Sequence, residues 1–206
     1  MKKKIYSFFM KIILIFVGVL VVVFAGVQIF AIKSQHNIEM YSYDIIKQYE
    51  NFEIRRYKPT LFTTVKLSSG DYKKTSRKGF SVLAGYIFGD NDRNEKIAMT
   101  SPVAMTLEDS MTMMFMVPKK LSKAELPIPN QSLIKFREKP EKIVAAIRFN
   151  GWANDKKIKR FKNQLKTTLE SWGISHTNKF QILGYNAPYE FFNRRNEIIV
   201  ELDEDF

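Results

Sequence analysis

The sequence contains no cysteine and only two histidines, His36 and His176. Without cysteine the chain can form no disulfide, no thiolate nucleophile and no cysteine-ligated zinc site. Neither histidine has a neighbour at the spacing of a metal site or of a general base. A glycine-rich phosphate loop and a G-x-S-x-G nucleophile motif are also absent. We therefore predict no catalytic residue, no metal site and no enzymatic activity.

Charge is missing from a long stretch near the N-terminus. Residues 12–32 form a run of 21 residues without a charged side chain, in which Gln28 is the only strongly polar member. At about 1.5 Å per residue a helix of this length spans roughly 31 Å, the thickness of a bilayer's hydrocarbon core. A cleaved signal has a shorter apolar region and a small-x-small exit. We expect residues 1–33 to be an uncleaved membrane anchor that spans at 12–32.

The lysines around this run predict its orientation. Four lysines precede the span and only Lys33 follows it directly, so the N-terminus should stay in the cytoplasm. The remainder should then be extracytoplasmic, or periplasmic in a Gram-negative cell, which suits a chain without cysteine. We expect a short tether over 34–41 and one domain over 42–206.

The net charge of +12 arises from 33 basic and 21 acidic residues. Five of the lysines lie in residues 1–33, and the others are spread along the chain, as in KKTSRK (73–78) and KKIKRFK (156–162). A basic domain is a candidate for nucleic-acid binding, but an extracytoplasmic one has little access to it. We therefore expect a solvated basic surface near anionic lipid headgroups and no nucleic-acid partner.

Two helices are predicted in the domain. The first runs through 71–88, with Asp71 as N-cap and Gly89 as its end. The second begins at Asn154 or Asp155, runs to Trp172 and ends at Gly173. The predicted strands cover 43–49, 52–57, 61–68, 97–107, 111–117, 132–138, 142–150, 180–185 and 196–202.

This order repeats strands, helix and strands in two halves of similar length, which suggests an internal structural duplication. Strands predominate, and most connections suit antiparallel pairing. We predict an α+β domain: a distorted, mostly antiparallel β-barrel or curved sheet flanked by two α-helices, preceded by one transmembrane helix.

Methionine is concentrated in one place, because six of the nine methionines lie within residues 99–118. Thioether sulfur can bind soft metals or haem iron, and it also fills apolar cores. On a strand, Met111 and Met113 would share one face with Phe115 and Val117, and residues 114 and 116 would occupy the other. A sheet covered on both faces requires such a strand, so we assign it to the core. Met99 and Met105, beside turns, stay open as pocket residues.

Several segments together resemble the SOUL haem-binding protein family. They cover nearly all of residues 42–202 and are FEIRRYKP (52–59), GFSVLAGYIFGDN (79–91), KIAMTSPVAM (96–105), MFMVP (114–118), LPIPN (126–130), FNGW (149–152) and GYNAPYEFFNRRNEIIVEL (184–202). The resemblance implies a distorted β-barrel with two helices, built from two pseudo-symmetric halves. It also implies non-catalytic binding of haem or another tetrapyrrole in a surface groove.

By position, the resemblance places this groove between the first helix of the domain and the loop before the RRNE strand. The implied binding residues are Arg77, Phe80, Ser81 and Ala84 on the helix and Tyr185, Asn186, Pro188 and Tyr189 in the loop. Met99, left open above, is added to this set as a wall residue. Arg77 could pair with a propionate while Phe80 meets the ring. Neither histidine falls at the family's proposed axial position, so the iron would have a tyrosine, a methionine or no protein ligand.

Two alternatives remain open from the sequence. The cleft could hold another amphipathic small molecule, such as a hydrophobic cation or a lipid fragment, because Glu190 beside Tyr185 and Tyr189 suits a cation. A hydrolase or a haem-dependent oxidase is the enzymatic alternative. The charged RRNE motif (194–197) is expected to form a buried or half-buried network that closes the last strand.

Overall fold

The computed structural model describes residues 2–35, 38–68, 71–108 and 110–203. The chain divides into two compact units. The first comprises Met1–Asn37 and Ala187–Phe191, and the second comprises Ile38–Asn186 and Phe192–Phe206. His36, expected in the tether, lies outside the described residues.

Helix α1 covers Lys2–Gln35. Its segment Phe9–Ile29 is 21 residues long and apolar enough to cross a membrane, and it overlaps the span predicted over 12–32. By length and composition the same helix could be a signal sequence. The helix enters the first residues of the predicted tether, and strand β1 (Glu39–Met40) lies in its second half.

The second unit contains the remaining helices and strands. The helices are α2 (Tyr72–Ile87) and α3 (Asp155–Ser171). The other strands are β2 (Tyr43–Gln48), β3 (Glu53–Tyr57), β4 (Thr60–Leu67), β5 (Thr100–Ser101), β6 (Val103–Thr106), β7 (Met111–Met116), β8 (Ile134–Lys139), β9 (Lys142–Asn150), β10 (His176–Gly184) and β11 (Arg195–Leu202). This composition confirms the predicted α+β class.

Nine of these strands form one curled antiparallel sheet in the order β2-β3-β9-β11-β10-β6-β7-β4-β8. The first-half elements β3, β4, α2, β6 and β7 correspond in sequence order to β8, β9, α3, β10 and β11. Read from one edge, the sheet contains the order β3-β9-β11-β10, and read from the other edge it contains β8-β4-β7-β6. Each strand of the first order corresponds to the strand at the same place in the second. In both orders the first strand, β3 or β8, pairs with a strand of the other half. The strand order therefore supports the predicted duplication.

Both helices of the second unit begin and end where the sequence predicts. The Asp71 carboxylate accepts a hydrogen bond from the Lys74 backbone N–H, and the Asn154 side chain accepts one from Lys157, so each cap satisfies a free donor. Gly89 and Gly173 follow the last turns with φ of 117° and 66°, a conformation that glycine adopts without strain.

The sheet is buried on both faces. Core side chains of α2 and α3 cover one face, and we call the cluster there the helix-covered cluster. A smaller cluster rich in tyrosine and methionine lies on the other face. Along β7, Met113 and Phe115 belong to the helix-covered cluster, whereas Met114 and Met116 belong to the opposite one. The predicted alternation is confirmed, and this methionine run is core.

One predicted strand is divided in the structure. Within the predicted bounds 97–107 the structure has two strands, β5 and β6, separated by Pro102. Proline has no N–H to donate to a ladder, so pairing stops there. Strand β5 pairs in parallel with β1, whereas β6 joins the large sheet beside β10 and β7.

Helix α2 approaches the sheet closely at Gly79. A Cβ atom there would lie 2.6 Å from Leu67 Cδ1 and 3.2 Å from Met113 Cβ. We predict that Gly79→Ala lowers the free energy of unfolding by about 1 kcal/mol, because overpacking outweighs the gain in helix propensity. Thermal unfolding of the full-length protein in detergent, followed by near-ultraviolet circular dichroism, measures this change.

Gly85→Ala is the matched control on the same helix. The nearest atom to a Cβ at Gly85 is Asp90 Oδ2 at 3.8 Å, an ordinary contact. This substitution should therefore raise the melting temperature through helix propensity alone. If both substitutions shift the melting temperature in the same direction, close packing at Gly79 does not determine the effect of Gly79→Ala on stability.

Candidate functional site

The exposed side of α2 borders an open cavity with a volume of about 590 Å³, which we call the α2 groove. Its lining residues are Asp71, Lys73, Lys74, Arg77, Lys78, Ser81 and Val82. Four of the seven are cationic, and the one acidic member, Asp71, caps the helix. Val82 and the methylene stems of the lysines add apolar area beside the charges. The groove thus suits a ligand that has both anionic and apolar parts.

Of the four helix residues predicted for the site, two point to the solvent and two point to the core. Arg77 and Ser81 are exposed and line the α2 groove. Phe80 is half-buried with its ring centroid 5.4 Å from that of Phe115, and Ala84 is buried in the core. Positions 77 and 81 are one turn apart, as are 80 and 84, so each pair shares a direction. The structure brings Arg77 and Ser81 together on the surface and uses Phe80 and Ala84 to hold the helix on the sheet.

The two methionines left open by the sequence lie against the same core. Met105, on β6, is 2% exposed and belongs to the helix-covered cluster. Met99 is half-buried and packs against this cluster just before β5. Met105 is therefore a core residue, and Met99 retains a partly exposed edge.

The predicted loop residues begin with two that bond to the last strand. The Tyr185 hydroxyl donates to Glu197 at 2.7 Å, and the Asn186 side-chain oxygen accepts from the Arg195 backbone N–H at 2.6 Å. Tyr185 belongs to the cluster on the sheet face opposite α2, so it shares no buried cluster with Ala84. These contacts position the end of β10 against the start of β11.

The other two predicted loop residues, Pro188 and Tyr189, are exposed and belong to the first unit. The loop is closed by a turn in which the Glu190 backbone N–H donates to the Ala187 carbonyl at 3.1 Å. The Glu190 carboxylate accepts from the Ala187 backbone N–H at 2.9 Å and is 5% exposed. Glu190 therefore helps to build the loop.

Glu197 is the centre of a buried charged network. Its carboxylate has no exposed surface and lies 2.7 Å from one Arg55 nitrogen, with a second at 3.2 Å. Arg195 donates to the same carboxylate at 2.6 Å, and Tyr185 completes the set. The network confirms the role expected of the RRNE motif. Arg55 was not singled out from the sequence, although the alternation of FEIRRYKP places it on one face with Glu53 and Tyr57.

The network crosses strand β9, which lies between β3 and β11. Arg55 is paired in register with Val144, and Glu197 with Arg148, so the two partners are offset by four residues along β9. Ala146 lies midway between those positions on the same face. Because its side chain is a single methyl group, the long Arg55 side chain can pass over β9 and reach Glu197.

Burial alone would raise the pKa of Glu197, but hydrogen bonds from Arg55 and Tyr185 and the charges of both arginines outweigh it. The pKa consequently lies below the ordinary value of 4.5. Burial raises the pKa of Tyr57 to about 12 and that of Tyr185 well above 10. At neutral pH the carboxyl group is therefore ionised and both phenols are protonated.

A second concavity of about 510 Å³ opens beside this network, and we call it the polar cleft. It is lined by β2, β3, β9 and β11, and its charged members are Glu50, Glu53, Arg55, Arg148, Arg195 and Glu197. Three arginines face three glutamates, so the cleft has no net preference for an anion. The α2 groove has such a preference and is the stronger candidate for an anionic amphipathic ligand.

Metal ligation finds little support in the part of the chain that the structure describes. There, no three histidine, aspartate or glutamate side chains gather as a metal-binding group. The Nδ1 atom of His176 accepts from the Asn178 backbone N–H, and its ring stacks edge-on against Phe180. His176 is therefore held at the start of β10 and does not line the α2 groove.

The fold defines a class of small α+β domains in which two helices cover one face of a curled antiparallel sheet. The chain belongs to the SOUL family, because the family described as SOUL heme-binding protein matches residues 38–201. It is 27% identical over 164 residues to Heme-binding protein 2 of Mus musculus, covering 75% of this chain and 80% of that protein. Identity to Heme-binding protein 1 of Xenopus laevis is 24% over 155 residues, covering 71% and 81%.

Solved structures share the fold at low identity. The C-terminal domain of EcmrR matches with a TM-score of 0.59 and 11% identity, over 78% of this chain and 98% of that one. A hydrolase from Listeria innocua matches with a TM-score of 0.52 and 10% identity, over 77% and 94%. At these identities the likeness concerns the fold alone.

The buried network yields a stability prediction. Glu197→Gln keeps the shape of the side chain but leaves Arg55 and Arg195 without their shared counter-charge. We predict a loss of about 3 kcal/mol in the free energy of unfolding at neutral pH. Chemical denaturation of the full-length protein in detergent, followed by tryptophan fluorescence, measures the loss.

Glu141→Gln provides the control, since the Arg56–Glu141 pair is exposed on both sides and should contribute less than about 1 kcal/mol. The pH dependence is a second check. The lowered pKa of Glu197 contributes stability above the unfolded value of 4.5, and this contribution is lost as the pH falls through the folded pKa. The difference between wild type and Glu197→Gln should therefore shrink in acid; a constant difference would contradict the assignment.

Proposed function

We propose that this protein is a membrane-anchored, non-catalytic binder of haem or a related tetrapyrrole, acting as a carrier, buffer or sensor. Membership of the SOUL family and the similarity to Heme-binding protein 2 of Mus musculus and Homo sapiens support the ligand class. The observation that carries the choice of site is the cationic α2 groove, in which Arg77 and Ser81 lie together.

The chemistry of the α2 groove fits the periphery of a tetrapyrrole. Such a molecule is a flat apolar disc with carboxylates at one edge, and it needs an apolar wall with cations at the rim. Arg77 offers a planar guanidinium that can hold a carboxylate through two hydrogen bonds. Lys73, Lys74 and Lys78 surround it with further positive charge, and Val82 supplies an apolar contact.

Among the predicted residues of the second unit, Met99 retains partly exposed surface and is proposed as a further contact. Tyr185 and Asn186 would act by positioning the loop, because their polar atoms are bonded to β11. No iron ligand is assigned. When bound, haem would supply the redox and gas-binding chemistry of its iron, whereas this chain would supply the carboxylate contacts and the apolar wall.

Helix α1 is proposed as an uncleaved anchor with its N-terminus in the cytoplasm. The lysines before the span and the apolar segment Phe9–Ile29 support this topology. The domain would then bind its ligand on the extracytoplasmic side.

The alternative of a hydrophobic cation receives less support from the residues. Glu190, on which it rests, is buried and accepts a hydrogen bond within its own turn. Glu197 is bound by two arginines and a tyrosine. The net charge of the α2 groove also has the wrong sign for a cation.

Charge reversal at the groove tests the assignment. Arg77→Glu should weaken the affinity for haem by about tenfold or more, because a charge-assisted bond is replaced by repulsion. Haem titration of full-length protein in lipid nanodiscs, followed by the Soret band and corrected with empty nanodiscs, measures the affinity.

Arg137→Glu is the matched control for charge. Arg137 is exposed on β8, and its neighbour Phe136 packs toward the helix-covered core, so Arg137 points to the opposite face of the sheet. The control should leave the affinity unchanged. Equal weakening by both substitutions would show that net charge matters rather than the α2 groove.

The nature of the contacts predicts how the iron affects binding. If the carboxylates and the ring edge provide the affinity, iron-free protoporphyrin should bind within about threefold of haem. Tryptophan quenching by both ligands, measured on the same nanodisc preparation, gives the comparison. An affinity for haem greater by about a hundredfold would instead require a protein ligand to the iron.

A further inference from the structure

Gln28 is an unusual residue for its position in α1. It is the only strongly polar side chain between residues 12 and 32. It is 8% exposed, whereas the apolar residues before it on the helix, such as Phe24 and Val27, are 44–45% exposed. Among the described residues 9–29 this is the one buried position, so another segment covers it.

The covering segment is the loop of residues 187–191, which belongs to the same compact unit as α1. The Gln28 side-chain amide donates to the Tyr189 carbonyl at 3.1 Å, and its oxygen accepts from the Phe191 backbone N–H at 3.3 Å. One turn earlier on the helix, the ring of Phe24 lies 5.8 Å from that of Phe191. Both ends of the amide and one aromatic ring thus bind the loop.

These bonds have a physical reason if α1 spans a bilayer. A side-chain amide in hydrocarbon needs hydrogen-bond partners, and backbone groups of an irregular segment need them equally. Gln28 and the backbone of the loop provide hydrogen-bond partners for each other. Gln28 is one residue from the end of the apolar segment at Ile29, and Phe24 is about 6 Å deeper than Gln28 by helical rise. Gln28 therefore lies at the depth of the bilayer interface, and Phe24 lies just below it.

The loop also carries side chains suited to that depth. Tyr189 is 47% exposed and Phe191 is 52% exposed, and Pro188 between the turn residues is exposed as well. Tyrosine and other aromatic rings are favoured where the headgroups meet the acyl chains. Two such rings on a loop bonded to the end of a membrane span form a continuous apolar surface with that span.

We propose that residues 187–191 are a membrane-docking loop: Gln28 fixes the loop to α1, and the Tyr189 and Phe191 side chains enter the interfacial layer of the bilayer. The occupant of this surface is phospholipid, and no second protein is required. The inference rests on the proposed membrane anchoring of α1, and it is independent of tetrapyrrole binding.

The absence of cysteine makes the test direct, because a single introduced thiol can be labelled without a background. Three full-length variants, Phe191→Cys, Leu20→Cys and Phe88→Cys, each carry an environment-sensitive fluorophore in vesicles of phosphatidylcholine and phosphatidylglycerol. Lipids with a nitroxide at a shallow or a deep acyl position quench according to depth. Leu20 marks the membrane span, and Phe88 is a comparably exposed aromatic residue at the end of α2.

We expect the probe at position 191 to shift to the blue and to lose fluorescence to the shallow nitroxide. The probe at position 20 should lose most to the deep one, and the probe at position 88 should lose little to either. Adding Gln28→Leu should restore the fluorescence at position 191 and leave position 20 unchanged.

Quenching at position 20 without quenching at 191 would overturn the docking loop while leaving the anchor intact. Quenching at 191 that Gln28→Leu does not alter would do the same. Equal quenching at positions 191 and 88 would overturn it too, since the contact would not belong to the loop. No quenching at position 20 would refute the anchoring and the docking loop together. Haem titration of the same vesicles reports on the proposed ligand separately.

Discussion

The architecture of the second unit depends on one buried carboxylate. Glu197 has no exposed surface, and it is bound by Arg55 from β3, by Arg195 from its own strand and by Tyr185 from the end of β10. A lone charge at this depth would be prohibitively unfavourable, so all partners must be in place together. The network consequently fixes β3 across β9 onto β11, and it fixes the start of the loop that follows Tyr185.

The polar cleft and the α2 groove differ in charge balance, and this difference gives them different roles. Charges of opposite sign are balanced in the polar cleft, and they hold strands together. On the other side, the described lining of the α2 groove has four cations and one acid, Asp71, and this excess of positive charge is available to a ligand. Within the first unit, Tyr189 and Phe191 bind Gln28 through their backbone groups.

Much of the fold could be predicted because local signals and burial agreed. Asp71, Asn154 and the two glycines after the helices mark their ends through capping chemistry, which is local. The alternation of residues 111–117 predicted a strand buried on both sides, which needs only the strand period. The break in pairing at Pro102 also follows from local chemistry, because proline lacks an amide donor, although the predicted strand bounds 97–107 ran through it.

The site was harder to predict because its parts come from distant segments. Arg77 and Ser81 share a surface, as the helical spacing implies, but Phe80 and Ala84 turn to the core, and Tyr185 belongs to the opposite face. Arg55 and Glu197 are 142 residues apart, and only the register over Ala146 brings them together. Gln28 stood out as polar in an apolar run, but nothing local indicates which loop satisfies it.

The most direct test of the central claim is the stoichiometry of haem binding to wild-type full-length protein in lipid nanodiscs, with empty nanodiscs as reference. Difference absorbance in the Soret region, recorded at a protein concentration well above the dissociation constant, gives the number of sites. The account predicts saturation at one tetrapyrrole per chain above the lipid background. A rise without saturation, equal to that of empty nanodiscs, would contradict it.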